Sequence, residues 1–108
     1  MSHYRVSRSA KAELDEIWIA LAQAESVEYA SRIVDEFISV FRMLGAMPQS
    51  GRSRPEIGLE MRSFPAGDYV VYYRKSKRGS IQISHVIHAK RDQMKALKGA
   101  RGQGSKHN

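Results

Sequence analysis

Basic and imidazole side chains gather in the second half of this 108-residue chain, where Arg62, Arg74, His85, His88, Lys90 and Arg91 fall in or beside short apolar runs rich in tyrosine. Side chains of these types handle oxyanions. A guanidinium presents a planar donor fork to a phosphate or carboxylate, a lysine adds a point charge, and an imidazole can trade a proton near neutral pH. Catalysis asks for more: a nucleophile, or an acid and a base within hydrogen-bond reach of one substrate atom. The groups that could converge in that way are His85, His88, Arg62, Arg74, Arg91, Asp92 and the tyrosines Tyr69, Tyr72 and Tyr73. Each has a plainer use, since exposed strand arginines keep a sheet soluble and neighbouring aromatics on a strand usually pack a core. His85 and His88 differ by three, which on a regular strand puts them on opposite faces, and no cysteine or carboxylate pair completes a metal site. No metal, no cofactor and no catalytic residue is assigned.

These side chains need a frame, and the residue period supplies one. From Met61 the apolar pattern alternates: a strand over 61–65, a two-residue turn at Gly67-Asp68, a β-branched and aromatic strand over 69–74, a basic turn over 75–80 and a last strand over 81–88. Without a bulge, Ile81, Ile83, His85 and Ile87 share the face turned to the core, and Gln82, Ser84, Val86 and His88 share the other. His85 is then a neutral, hydrogen-bonded residue at the rim of the core, and His88 lies on the open face or at the strand end. A bulge exchanges these assignments. Tyr72 falls on the face opposite Tyr69 and Tyr73, and is the one tyrosine that could stack outward on a base. Arg62 and Arg74 are placed on the open face.

Upstream the period is helical. Ser7 or Ser9 can cap a helix carrying Leu14, Ile17, Trp18 and Leu21 on one face and ending near Gln23. Ser26 can cap a second, whose stripe of Ala30, Ile33, Val34, Phe37, Ile38, Phe41 and Leu44 marks the core helix, stopped by Gly45 and Pro48. The short link between them makes an antiparallel hairpin, with Trp18 and Phe37 expected to bridge its two helices. Tyr4–Ser7 alternates and could pair at a sheet edge, whereas residues 48–60 have no period and read as a crossing loop. The fold class is α+β: an N-terminal antiparallel helical hairpin on one face of a small antiparallel β-sheet. Residues 1–98 form a single domain, with one short helical turn at Met94 and Leu97, and 99–108 form a basic, flexible tail.

Composition narrows the partners. Eighteen Lys and Arg against eleven Asp and Glu give a formal charge of +7; beyond Lys75 the sole acid is Asp92, while 11–36 is acid-rich. That asymmetry favours a polyanionic partner: nucleic acid, a nucleoprotein enzyme or an acidic protein segment. The chain has no cysteine, so a disulfide scaffold and a thiol nucleophile are excluded. No signal-length or membrane-spanning apolar run occurs, and the sequence reads as complete, cytoplasmic and without a membrane partner.

In order and spacing these segments resemble the RelE/ParE superfamily of bacterial toxins, and its ParE branch in particular. The likeness is carried by Tyr4-Arg5-Val6-Ser7 with Ala10, Ala12, Leu14, Ile17 and Trp18, by Ala30, Phe37 and Phe41, and by Pro48, Gly51 and Arg52. It continues through Arg62-Ser63-Phe64-Pro65 and Tyr69–Arg74 to His88-Ala89-Lys90-Arg91-Asp92. It implies the fold read above and the toxin half of a type II toxin-antitoxin system. It also implies neutralisation by a cognate ParD-like antitoxin with an acidic C-terminal segment, in a hetero-oligomer. ParE-like members are associated with inhibition of DNA gyrase. RelE-like members are ribosome-dependent mRNA endonucleases that use basic residues of the open sheet face and commonly a late tyrosine; this chain has none after Tyr73. The resemblance therefore favours a gyrase-directed toxin without catalysis of its own, with Arg62, Arg74, His88, Lys90 and Arg91 as candidates for target contact. The alternatives are the mRNA endonuclease, which needs Arg62, Arg74, His88 and Arg91 around one scissile phosphate, and a nucleic-acid-binding module without chemistry.

Overall fold

The computed structural model describes residues 3–76 and 79–91. Two helices, α1 (Arg8–Ala24) and α2 (Val27–Ala46), follow a short strand β1 (Tyr4–Val6). A 3-10 turn at Pro48–Ser50 then leads to β2 (Arg52–Ser53), β3 (Met61–Ala66), β4 (Tyr69–Lys75) and β5 (Ile81–His88). The caps are local and act as their residue types dictate: Ser7 Oγ accepts from the Ala10 N–H and Ser26 Oγ from the Tyr29 N–H, each at 3.0 Å. Both helices lie against one five-stranded sheet of order β1-β5-β4-β3-β2. The tail assigned to 99–108, and the helical turn at Met94 and Leu97, lie outside the described residues.

The sheet is mixed rather than purely antiparallel. β1 pairs in parallel with β5, Tyr4 opposite Ile81 and Val6 opposite Ile83. Parallel neighbours need a long crossover, and the helical hairpin is part of one. The stretch read as a loop supplies β2, which pairs with Arg62 and Ser63 at the opposite edge. Pro65 sits on β3 with its nitrogen turned away from β4, because Arg54 N–H bonds the Met61 carbonyl and so sets the outward-facing phase of the strand at Met61, Ser63 and Pro65. A missing N–H costs nothing there.

A bulge decides which face each β5 residue occupies. Tyr72 is opposite His85 but Tyr73 is opposite Ile83, leaving Ser84 unpaired. The alternation resets, so Val86 joins Ile81 and Ile83 in the core while His85 turns to the other face. The core packs these with Ala10, Phe37, Phe41, Leu44, Val71 and Tyr73. Of the two residues expected to bridge the helices, Phe37 lies in this core with Ala10 of α1, and its ring meets Tyr69 of the sheet edge-on, centroids 5.2 Å apart. Trp18 links the helices, donating its indole N–H to Ser31 Oγ at 3.2 Å, but it is only half-buried. Gly45 is not a helix stop: α2 runs on to Ala46, and a Cβ at Gly45 would lie 2.8 Å from the Cβ of His3. The glycine lets β1 cross the helix.

Candidate functional site

The five basic candidates separate into three places. Arg62 lies on the helix side of β3, opposite Tyr73, and donates to the Gly51 carbonyl at 2.7 Å. It holds the Pro48–Arg52 loop. Arg74, opposite Met61 and Gln82, is exposed on the other face. His88, Lys90 and Arg91 stay together at the far end of β5, where the chain turns helical at Ala89. The expected open-face arginine pair is thus divided between two faces, because Arg74 is opposite Met61, one register step from Arg62, and Arg62 follows the phase of Phe64, which is packed against the core.

The other face is also not an open stacking platform. Tyr72 is 3% exposed, with the Arg54 guanidinium 5.7 Å from its ring centre. Arg54 is anchored by an Nη1–H bond to Ser63 Oγ at 3.1 Å and a 2.6 Å pair with Glu56, whose carboxyl it holds below the usual range. The Arg54 guanidinium lies over the Tyr72 ring, a contact that periodicity does not announce.

His88, Lys90 and Arg91 form one wall of a groove of about 550 Å³ between α1 and the end of β5. Glu13, Glu16, Ile17 and Ala20 of α1 form the other, with Tyr69, Val86 and Ile87 between. The His88 ring stands edge-on to Tyr69, centroids 5.2 Å apart, and its Nδ1 accepts from the Lys90 backbone N–H at 3.2 Å. In the neutral ring that acceptor role leaves the proton on Nε2. Burial, then the charge of Asp68, then Tyr29 push the Tyr69 hydroxyl above its ordinary value. Ala89 N–H donates to the Asp68 carbonyl at 2.8 Å, fixing where the strand ends and the basic pair emerges.

Glu13 belongs to this site although its sequence position reads as a solvated acid beside the apolar stripe. One carboxylate oxygen accepts the Val86 backbone N–H at 2.9 Å, and the other lies 2.9 Å from His85 Nδ1. It stands in for a strand on the edge of β5 that β1 is too short to cover. His85 is therefore hydrogen-bonded as expected, but on the face away from the helices and with 44% of its side chain exposed. No local pattern announces such a contact, since the partners are 72 and 73 residues apart. Among the described residues no group of three or more His, Asp or Glu side chains is placed to hold a metal ion.

The family profile described as the ParE toxin of type II toxin-antitoxin system, parDE, matches residues 4–93. The chain is 34% identical over 88 residues to Toxin ParE1 of Caulobacter vibrioides, covering 82% of this chain and 90% of that one. It is 31% identical over 91 residues to Toxin ParE1 of Mycobacterium tuberculosis, covering 84% and 93%. A solved structure titled as the chromosomal ParDE TA system from P. aeruginosa matches the fold with a TM-score of 0.68 and 22% identity, over 82% of this chain and 96% of that one.

Proposed function

From the premise that this chain belongs to the ParE toxin family of type II toxin-antitoxin systems, we propose that it acts in the cytoplasm by inhibiting DNA gyrase, without catalysis of its own, until an acidic ParD-like antitoxin captures it in a hetero-oligomer. The observation that carries this reading over the mRNA endonuclease is the dispersal of the four side chains that enzyme would need. His88 pairs with Tyr69 and Arg62 with Tyr73, four residues further along β4. At roughly 3.3 Å per residue this is about 13 Å, too far for both to reach one scissile phosphate. Arg62 is in addition committed to the Gly51 carbonyl, and Arg74 faces the other way. A nuclease must supply charge stabilisation and proton transfer at one point.

The basic pair Lys90-Arg91 supports a binding role. Both are exposed, and neither has an ion-pair partner among the described residues. Such charges set association rates and partner choice. The acid-rich helix segment beside them makes the surface dipolar rather than uniformly basic, which argues against a plain nucleic-acid-binding module.

The test is induction of the chain without its antitoxin. Replication should stall with gyrase trapped on DNA while bulk mRNA stays intact, and the purified protein should inhibit gyrase supercoiling. Ribosome-dependent mRNA cleavage with supercoiling unaffected would reverse the assignment in favour of the endonuclease.

A further inference from the structure

We propose that the uncovered edge of β5, at Val86 and His88, receives an extended segment of the partner protein as an added strand in line with β1. The inference rests on the reading that an acidic antitoxin captures this chain. β1 covers only Ile81–Ile83. Beyond it Ser7 closes the edge, its N–H donating to the Ile83 carbonyl at 2.9 Å and its Oγ–H to the Ser84 carbonyl at 3.0 Å. Glu13 then takes the Val86 N–H at 2.9 Å. The next outward groups are the Val86 carbonyl and the His88 N–H. Their direction follows from strand alternation, because the Ala89 N–H points the other way, to Asp68.

An uncovered edge is a template for another strand, and folds normally blunt it. At the opposite edge Pro65 does so, with no N–H to offer. Among the described residues nothing equivalent stands at the β5 edge: α1 holds off and leaves the 550 Å³ groove. An added strand would lie about 4.8 Å from β5. Its alternate side chains would then meet Ile17, Ala20 and Tyr69 on the helix side, which suits apolar residues. Where it passes the end of β5 it meets Lys90 and Arg91, which suits a carboxylate, while Glu13 and Glu16 at the near end repel one. The occupant is thus an extended segment with apolar residues at alternate positions and an acidic residue at one end.

The experiment measures amide hydrogen exchange of the wild-type chain, free and in complex with the acidic protein encoded by the adjacent reading frame. The His88 amide should be protected at least about tenfold more in the complex. His88→Ala keeps the N–H and loses only the ring that lines the groove, so His88→Pro, which also removes the outward donor without touching the ladder to β4, should weaken the complex about tenfold beyond His88→Ala. A wild-type complex whose His88 amide exchanges as in the free chain overturns the inference alone. Failure of the wild-type chain to bind the acidic protein overturns the antitoxin reading, and this inference with it. Protection already present in the free chain also overturns it: concentration dependence would assign the edge to a second copy, and loss on deleting 92–108 would assign it to the chain's own end.

Discussion

The Tyr73 hydroxyl oxygen lies 2.7 Å from the Gly51 nitrogen and accepts its N–H, joining the centre of the sheet to the loop that leaves α2. The same hydroxyl donates to the Pro48 carbonyl at 2.7 Å, and Arg62 donates to the Gly51 carbonyl. Gly51 is needed for lack of a side chain: a Cβ there would lie 2.4 Å from the Tyr73 oxygen and 2.8 Å from the Ser63 carbonyl. The spacing of Pro48, Gly51 and Arg52, which the sequence presents as a loop signature, is the footprint of one buried tyrosine.

Tyr73→Phe should lower stability by about 1–3 kcal/mol, because it leaves the buried Gly51 N–H without its acceptor. Gly51→Ala should be at least as damaging, since the obstruction includes backbone. Both are read from urea denaturation midpoints. Arg62→Ala should lose toxicity only in proportion to lost folding, and an Arg62→Ala protein of unchanged stability but abolished toxicity would place Arg62 in target contact instead.

Alkaline pH should weaken the fold in part through the same residue. Burial is the largest cause holding the Tyr73 hydroxyl above its ordinary value of about 10, and Tyr69 is shifted in the same direction. The folded chain keeps protons that the unfolded chain has released, so this contribution is intact below about pH 10 and is lost as pH rises through the folded values. Stability measured from about pH 9 to about pH 11 should fall less steeply in Tyr73→Phe than in wild type.

Phe37→Ala should cost about 3–5 kcal/mol, as truncation of a buried aromatic does. Phe37 is 2% exposed and joins α2 to Tyr69. Trp18→Ala should cost clearly less, for Trp18 is half-buried and outside the central cluster. Thermal midpoints of the two variants should therefore separate, with Trp18→Ala nearer to wild type; equal losses would mean that the helical hairpin is held chiefly by Trp18.

Replacing Lys90 and Arg91 together by alanine should abolish growth arrest while leaving the thermal midpoint within about 2 °C, the small effect expected of exposed charges. The same variant should bind the acidic partner more slowly and with a weaker dependence on salt, because steering by these charges is screened over about 8–10 Å at physiological ionic strength. Full toxicity with both side chains gone would remove the end of β5 from the target-binding surface.

Much of this architecture was legible in the sequence because the signals are local. Ser7 and Ser26 cap helices through their own side chains, the stripe from Ala30 to Leu44 has the period of a helix, and the alternating runs after Met61 fall within a residue or two of β3, β4 and β5. Each of these depends on neighbours a few positions away, which is the range that composition and period can describe.

What tertiary structure decided depends on groups far apart in the chain. The unpaired Ser84 resets the faces of β5, so that Val86 rather than His85 enters the core, and only the ladder to β4 fixes where that bulge falls. β1 pairs in parallel with β5, Tyr4 opposite Ile81, across a crossover that includes both helices. Tyr72 is covered by Arg54, Gly45 is required by His3, and Glu13 finds Val86 across 73 residues. Sequence alone determined the two helices and the strands β3, β4 and β5 as elements. Which side chains meet at the end of β5, and so what that surface can bind, was set by backbone groups whose hydrogen bonds had to be satisfied once those elements came together.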